Sequence, residues 1–297
     1  MYDLAVNISY QKFIMSDTSF KSISEIIFKN DSVILENVSD FDIAPTFECG
    51  QCFRFDRLDE KTYFGVAQGK EISITQDKKT VVLQGITAAD FNNFWFDFFD
   101  LGRDYGKIRK ELSLIHPVLE KAAAYAPGIR ILKQNPWEAL CSFIISQQKQ
   151  IPGIKMTIAR MSEAFGEKTG KAYTFPCAEK LARLELSDLD FLKLGYRDRY
   201  ILSAAKMVSS GEINLENIRA MPVQDARKEL MKICGVGVKV ADCTLLYGLQ
   251  RLDAAPVDTW MKKAEQLFDG GFPFLESPYA GIAQQYIFHY IRSGQIN

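Results

Sequence analysis

Histidine is nearly missing from this chain: there are two in 297 residues, His116 and His289. Cys49 and Cys52 form a lone C-x-x-C with no second pair nearby, so no ligand set has zinc spacing and a metal is not expected; no diffusible cofactor is expected either. Long apolar runs are missing too. None approaches the ~20 residues that span a bilayer, and the N-terminus lacks the charged, apolar, small-residue order of a secretory signal. A cytoplasmic protein is therefore expected, and its six cysteines read as reduced thiols rather than a disulfide framework. There is no repeat and no low-complexity tract. Nor is there an excess of positive charge: the formal net charge is −1, which taken whole argues against a nucleic-acid partner.

The distribution of charge qualifies that exclusion. Residues 1 to 125 carry 14 Lys and Arg against 19 Asp and Glu, whereas residues 126 to 260 carry 19 against 15, so the middle of the chain can meet phosphates while the acidic excess turns elsewhere. A 47% hydrophobic, 12% aromatic composition fills the cores of two domains or one large one. The first third holds short β-branched or alternating runs at Ser32 to Leu35, Thr62 to Val66, Ile72 to Thr75 and Thr80 to Leu83, an antiparallel sheet pattern. Ahead of it, the first 20 or so residues show no clear pattern and are expected to be poorly ordered or to add a short strand. From Thr87 the period changes. Ala88 to Phe99 is aromatic-dense without Pro or Gly, Ile108 to Tyr125 has helical spacing with a break expected at Pro117, and a long helical region follows.

Residues 233 to 258 are the most informative. Ala226 to Lys232 and Val238 to Leu249 read as two helices joined by Cys234-Gly235-Val236-Gly237, too short and glycine-containing for anything but a tight reversal. This is a helix-hairpin-helix, in which backbone N–H groups at Gly235, Gly237 and Val238 and the positive helix end can grip one DNA phosphate without net positive charge. Lys239 starts the second helix, where the helix dipole and burial disfavour an ammonium and would pull its pKa below the free value of ~10.4. A neutral amine can attack carbon, although most lysines at helix starts are surface groups or phosphate contacts. Cys243 lies one turn later on the same face and reads as a small buried hydrophobe. Asp258 follows Pro256-Val257 at the head of another helix. It reads as an N-cap, and the same position puts a carboxylate near the hairpin, able to stabilise positive charge on a sugar ring.

Several separate motifs occur together: Gly50-Gln51-Cys52-Phe53-Arg54, Asn135-Pro136-Trp137-Glu138 with Ser142-Phe143-Ile144-Ile145-Ser146-Gln147-Gln148, Leu194-Gly195-Tyr196-Arg197, the hairpin, and Tyr279-Ala280-Gly281-Ile282-Ala283-Gln284. In this order they resemble the helix-hairpin-helix DNA glycosylases, and within them the 8-oxoguanine DNA glycosylase branch, over nearly the whole chain from about residue 30. The resemblance implies that Lys239 attacks C1′ of the damaged nucleotide, expels the base and forms a Schiff base from which β-elimination cuts the strand. It implies that Asp258 stabilises the oxocarbenium-like transition state. The Gly50 carbonyl would accept the N7 hydrogen that 8-oxoguanine has and guanine lacks, Gln284 would read the Watson–Crick edge, and Phe288 and Cys243 would sandwich the ring. Gln148 would fill the space left by the flipped base, Tyr196 would wedge the opposite strand and Arg197 would contact the estranged cytosine.

Two departures stand out. Gly153 occupies the place where eukaryotic members have a second cytosine-reading arginine, which implies looser choice of the opposite base. Trp260 stands where many relatives have a histidine that touches the DNA backbone, and that phosphate role is not transferred to it. The resemblance implies an α+β protein: an N-terminal antiparallel sheet domain with helices over residues 1–125 and an α-helical glycosylase domain over 126–297, with the hairpin at about 226–250. Duplex DNA containing 8-oxoguanine is the expected partner, and a monomer the expected state. Three rivals have distinguishable marks. A monofunctional alkylbase glycosylase shares the fold and the aspartate but acts without the lysine. The endonuclease III branch commonly carries a four-cysteine cluster after this region, whereas no cysteine follows Cys243. A non-catalytic DNA-binding scaffold would leave Lys239 solvated and protonated.

Overall fold

Alternating β-branched and polar residues, punctuated by Asn, Asp, Gly and Lys turns, suit strands with one face buried. In the computed structural model, which describes residues 11–13 and 23–295, these runs form a single antiparallel sheet. Its strands are β1 (Gln11–Phe13), β2 (Glu25–Phe28), β3 (Ser32–Glu36), β4 (Phe55–Arg57), β5 (Thr62–Ala67), β6 (Lys70–Asp77) and β7 (Thr80–Gln84), in spatial order β1-β2-β3-β7-β6-β5-β4. Register follows the apolar pattern: Val33 faces Leu83 and Ile74 faces the same Leu83 from the other side, all three fully buried. The strand at Gln11–Phe13 is the short addition anticipated ahead of the sheet; the rest of the first 22 residues lies outside the described residues.

Helix α1 (Ile43–Glu48) crosses between β3 and β4, capped by Asp42. After β7 the expected helix begins at α2 (Ala88–Asp90), where Thr87 and Asp90 form a reciprocal capping box. It then widens into a π-helical turn at Phe91–Trp95 before α3 (Phe96–Phe98). A regular helix presents a narrower apolar stripe, whereas here Phe91, Trp95, Phe98 and Phe99 all enter the core beneath the sheet.

The helical part consists of α4 (Tyr105–Ser113), α5 (Pro117–Tyr125), α6 (Pro136–Ile145), α7 (Ile151–Phe165), α8 (Ala178–Ala182), α9 (Arg197–Ser209), α10 (Leu215–Arg219), α11 (Val223–Leu230), α12 (Val238–Cys243), α13 (Thr259–Ala264) and α14 (Ala280–Arg292), with a small hairpin β8 (Lys168–Thr169) and β9 (Ala172–Tyr173) after α7. Pro117 does not kink a helix. It opens α5 at its first position, behind the His116 cap, where its missing N–H is harmless. Apolar on nearly every side, α6 sits at the centre of the bundle with Trp137 and Ala139 to Ile145 buried.

Apolar side chains sort into two clusters. One spans Ile23 to Leu101 and recruits Leu132, whereas the other begins at Tyr105 and recruits Cys49 and Phe53 from the sheet side. The change of packing partner therefore falls between Leu101 and Tyr105. α4 and α5, which fall ahead of the domain boundary expected at residue 125, share their core with the helices that follow. No helix among the described residues is long and apolar enough to cross a membrane.

Candidate active site

The hairpin reverses between α11 and α12, and its two glycines serve different ends. Gly235 adopts a left-handed φ of +80°, and a Cβ there would lie 2.1 Å from the Tyr200 ring, so no side chain fits. Gly237 has an ordinary φ of −94° and open space where a Cβ would go. It is the residue ahead of α12 and no side chain caps the helix, leaving the first amides, with exposed Val238, facing outward. The second helix is α-helical only from Val238 to Cys243. A π-helical turn at Thr244–Gly248 completes the length expected to run to Leu249.

One step into α12, the Lys239 side chain is half-buried. Its Nζ lies 3.4 Å from Oγ of Ser146, the C-cap of α6, and 5.0 Å above the ring of Phe143 within that helix. The Phe143 ring and the Ser146 hydroxyl hold the head group in place, without a carboxylate partner within ion-pair distance among the described residues. Asp258 caps α13: Oδ1 accepts from the amides of Trp260 and Met261 at 3.0 and 2.9 Å. Oδ2 receives no hydrogen bond among the described residues, so capping leaves one carboxylate oxygen unused.

Lys239 and Asp258 line a recess shared with Cys49, Gly50, Phe143, Cys243, Tyr247, Pro256, Gln284 and Phe288. The recess, about 40 Å³, opens into a cleft of about 780 Å³ that also carries Ser146, Gln148, Lys149 and Trp260. Every residue assigned above to catalysis or base binding is on its wall. Gln284 is 3% exposed and its Oε1 has no hydrogen-bond partner among the described residues, an orphaned polar atom of the kind that a ligand satisfies. Burial raises the Cys243 thiol to about 11, with the Lys239 charge pulling the other way, and raises Cys49 to about 12. Both thiols are neutral lining rather than nucleophiles.

Gly50 has a left-handed φ of +79° and passes close to Ile151 and Phe288. What holds this loop was not visible in the sequence. Fully buried Gln51 donates from Nε2 to the carbonyls of Thr46 and Arg130 at 2.9 and 2.7 Å and accepts from the Leu132 amide at 2.8 Å. From α14, Gln285 Nε2 donates to the Cys49 carbonyl at 3.1 Å while its Oε1 accepts from Tyr247 OH. Buried polar side chains thus fix the backbone on both sides of Gly50. Gln285 adjoins Gln284, and nothing in a Gln-Gln pair shows which faces the recess and which the scaffold.

The rim of the cleft lies on the α6–α7 connection, and the start of α9 is hydrogen-bonded to it. Gln148 is exposed with φ +50°, at the tip of that connection. Tyr196 is 45% exposed and stacks under Arg197, whose guanidinium carbon lies 4.6 Å from the ring centroid. Arg197 Nε donates to the Gln147 carbonyl at 2.8 Å, Nη2 to the same oxygen and Nη1 to Leu194 O at 2.7 Å. Gln147 Nε2 in turn reaches the Gly235 carbonyl at 3.1 Å. Arg197 therefore ties the rim to the hairpin. Trp260, on the opposite side of the cleft, is 37% exposed with Lys263 Nζ 4.9 Å above its ring.

An antiparallel sheet with helices followed by a helical bundle that carries the glycine hairpin is the architecture of the base-excision DNA glycosylases built on a helix-hairpin-helix, and two family descriptions match it. The description "8-oxoguanine DNA glycosylase, N-terminal domain" matches residues 33–140, and "HhH-GPD superfamily base excision DNA repair protein" matches residues 141–270. The chain belongs to the 8-oxoguanine DNA glycosylase family. It is 31% identical to the N-glycosylase/DNA lyase of Saccharomyces cerevisiae over 258 residues, 76% of this chain and 68% of that protein. The crystal structure of Clostridium acetobutylicum 8-oxoguanine glycosylase/lyase, in complex with double-stranded DNA containing cytosine opposite 8-oxoguanine, superposes with a TM-score of 0.86 at 39% identity, covering 93% of this chain and all of that one. A DNA-3-methyladenine glycosylase of Bacillus subtilis is 32% identical over 168 residues, 54% of this chain and 55% of its own length.

Proposed function

We propose that this protein excises 8-oxoguanine from duplex DNA and cuts the resulting abasic strand, acting as a monomer in the cytoplasm or nucleoid. The observation that carries the reading is the recess that Lys239, Asp258 and Gln284 line together, with Gln284 Oε1 unpartnered among the described residues. The lesion swings out of the stack, at a cost of about a few kcal/mol, and its base enters between Phe288 and Cys243. The Gly50 carbonyl accepts the lesion's N7–H and Gln284 pairs with its Watson–Crick edge. Lys239 Nζ then bonds to C1′ as the N-glycosidic bond breaks and the base leaves with a proton. Asp258 stabilises the positive charge on the sugar as it develops. Opening of the ring at O4′ gives the Schiff base, and loss of a C2′ proton expels the 3′ phosphate.

Borohydride trapping on an 8-oxoguanine duplex tests this directly. A covalent adduct that vanishes in Lys239→Gln is expected, whereas an undiminished adduct in that variant moves the nucleophile elsewhere. The half-buried position of Lys239 favours this reading over a phosphate-binding scaffold. The alkylbase reading is favoured by the Bacillus subtilis 3-methyladenine glycosylase relative, and a duplex bearing 3-methyladenine, cleared faster than 8-oxoguanine and without an adduct, would establish it.

The hairpin is expected to grip a phosphate through the amides around Gly237. Gly237→Ala fits the available space and an allowed φ, so its melting temperature should match the parent. A methyl group between amide and phosphate should nevertheless weaken binding to undamaged duplex about tenfold, read by fluorescence anisotropy. Unchanged affinity would place the phosphate elsewhere.

A further inference from the structure

The bare face of Gly153, in the first turn of α7, is occupied by a neighbour. A Cβ built there would meet Lys149 Cγ and Cε at 3.4 Å and Cδ at 3.8 Å, so the lysine stem lies across the glycine. Lys149 Nζ donates to Thr157 Oγ1 at 2.6 Å, and that hydroxyl donates to the Gly153 carbonyl at 2.8 Å. Gly153 and Thr157 thus cradle one cation, Lys149, which lines the cleft. No ion pair reaches Lys149 among the described residues. Burial, with the Arg197 charge adding to it, pulls its ammonium below the usual lysine range, so a second cation is kept beside Arg197 without a carboxylate to balance either.

The two cations differ in freedom. Three of the five N–H groups of Arg197 are held by its own chain's carbonyls. Lys149 makes one hydrogen bond, to a hydroxyl, from a four-carbon stem that can swing. Lys149 also follows Gln148, the residue at the tip of the cleft connection. Resting on the excision reading above, we propose that Lys149 is the donor that recognises the base left unpaired opposite the lesion, in the space that Gly153 vacates. An ammonium gains most from adjacent acceptors. Cytosine offers O2 and N3 side by side, thymine has two carbonyls separated by a donor, and adenine offers N1 next to an amino donor. One ammonium lacks the planar fork of an arginine, so the preference for cytosine is real but shallow.

The test is single-turnover excision by Lys149→Met and Lys149→Arg on four duplexes carrying 8-oxoguanine opposite C, T, G or A. Lys149→Met should slow excision opposite cytosine about tenfold and opposite adenine far less, collapsing the C-to-A ratio, while Lys149→Arg keeps that ratio or raises it. Equal loss on all four duplexes together with a shallower salt dependence would make Lys149 a phosphate contact and overturn the proposal. So would four unchanged rates. Failure of the unaltered protein to give a borohydride adduct would instead sink the underlying excision reading.

Discussion

Asp258→Asn is expected to slow base excision about 10²- to 10³-fold while leaving the fold and DNA affinity nearly intact. Asparagine caps helices as well as aspartate does, so the bonds that Oδ1 accepts from Trp260 and Met261 survive. What disappears is the negative charge beside the sugar, which matters only as positive charge develops there. Single-turnover rates on an 8-oxoguanine duplex, set against anisotropy titrations and melting curves, separate these effects. Asp258→Ala should add a melting deficit of about 1 kcal/mol from the lost cap. If Asp258→Asn lowered affinity as much as rate, the carboxylate would be a binding group and its catalytic role would fall.

The other large effect is on stability. Arg54, just before β4, places Nη1 3.5 Å from Glu138 Oε2 in the first turn of α6, and its Nη2 donates to the Tyr173 carbonyl in β9. The pair is almost wholly buried, at 8% and 13% side-chain exposure, and joins sheet, central helix and small hairpin. Removing one partner of a buried pair leaves an unbalanced charge, typically at about 3–5 kcal/mol. Arg54→Met should therefore lower the melting temperature by roughly 10 °C. Burial already holds the Glu138 carboxyl above the ordinary glutamate range, with Arg54 opposing the rise. A raised folded-state pKa favours the folded protein below the unfolded value, and that contribution fades as pH climbs through the raised one. Without Arg54 the rise is larger. The deficit of Arg54→Met should then be greatest near neutral pH and shrink on acidification as Glu138 takes up a proton. Arg54→Met with Glu138→Leu should recover much of the loss. A deficit independent of pH, or no recovery in the double variant, would show that packing rather than charge holds this junction.

Much of the molecule could be read from local pattern. The strands at Ser32, Thr62, Ile72 and Thr80 were legible because alternation fixes which face is buried, and the hairpin because glycine alone tolerates the φ and the ring contact at residue 235. Lys239, Asp258, Gly50, Cys243, Gln284 and Phe288, spread over more than 230 positions, were named from motifs, and the fold brings all six to one recess. The π-helical turns at Phe91–Trp95 and Thr244–Gly248 were not legible, since their composition equals that of an ordinary buried helix. Nor was the packing of α4 and α5 with the later helices: a helical period tells which face is apolar, not which partner covers it.

Sequence by itself determined the elements, the hairpin and the chemical types available for catalysis, because short-range sterics and periodicity act between near neighbours. Tertiary structure alone decided that Gln285 braces the Gly50 loop while Gln284 is left unpartnered, that Arg197 is bound into the rim, and that Lys149 covers Gly153. Those outcomes depend on hydrogen-bond partners and empty space contributed by segments far apart in the chain, and no local pattern of residues encodes which donor will find which acceptor.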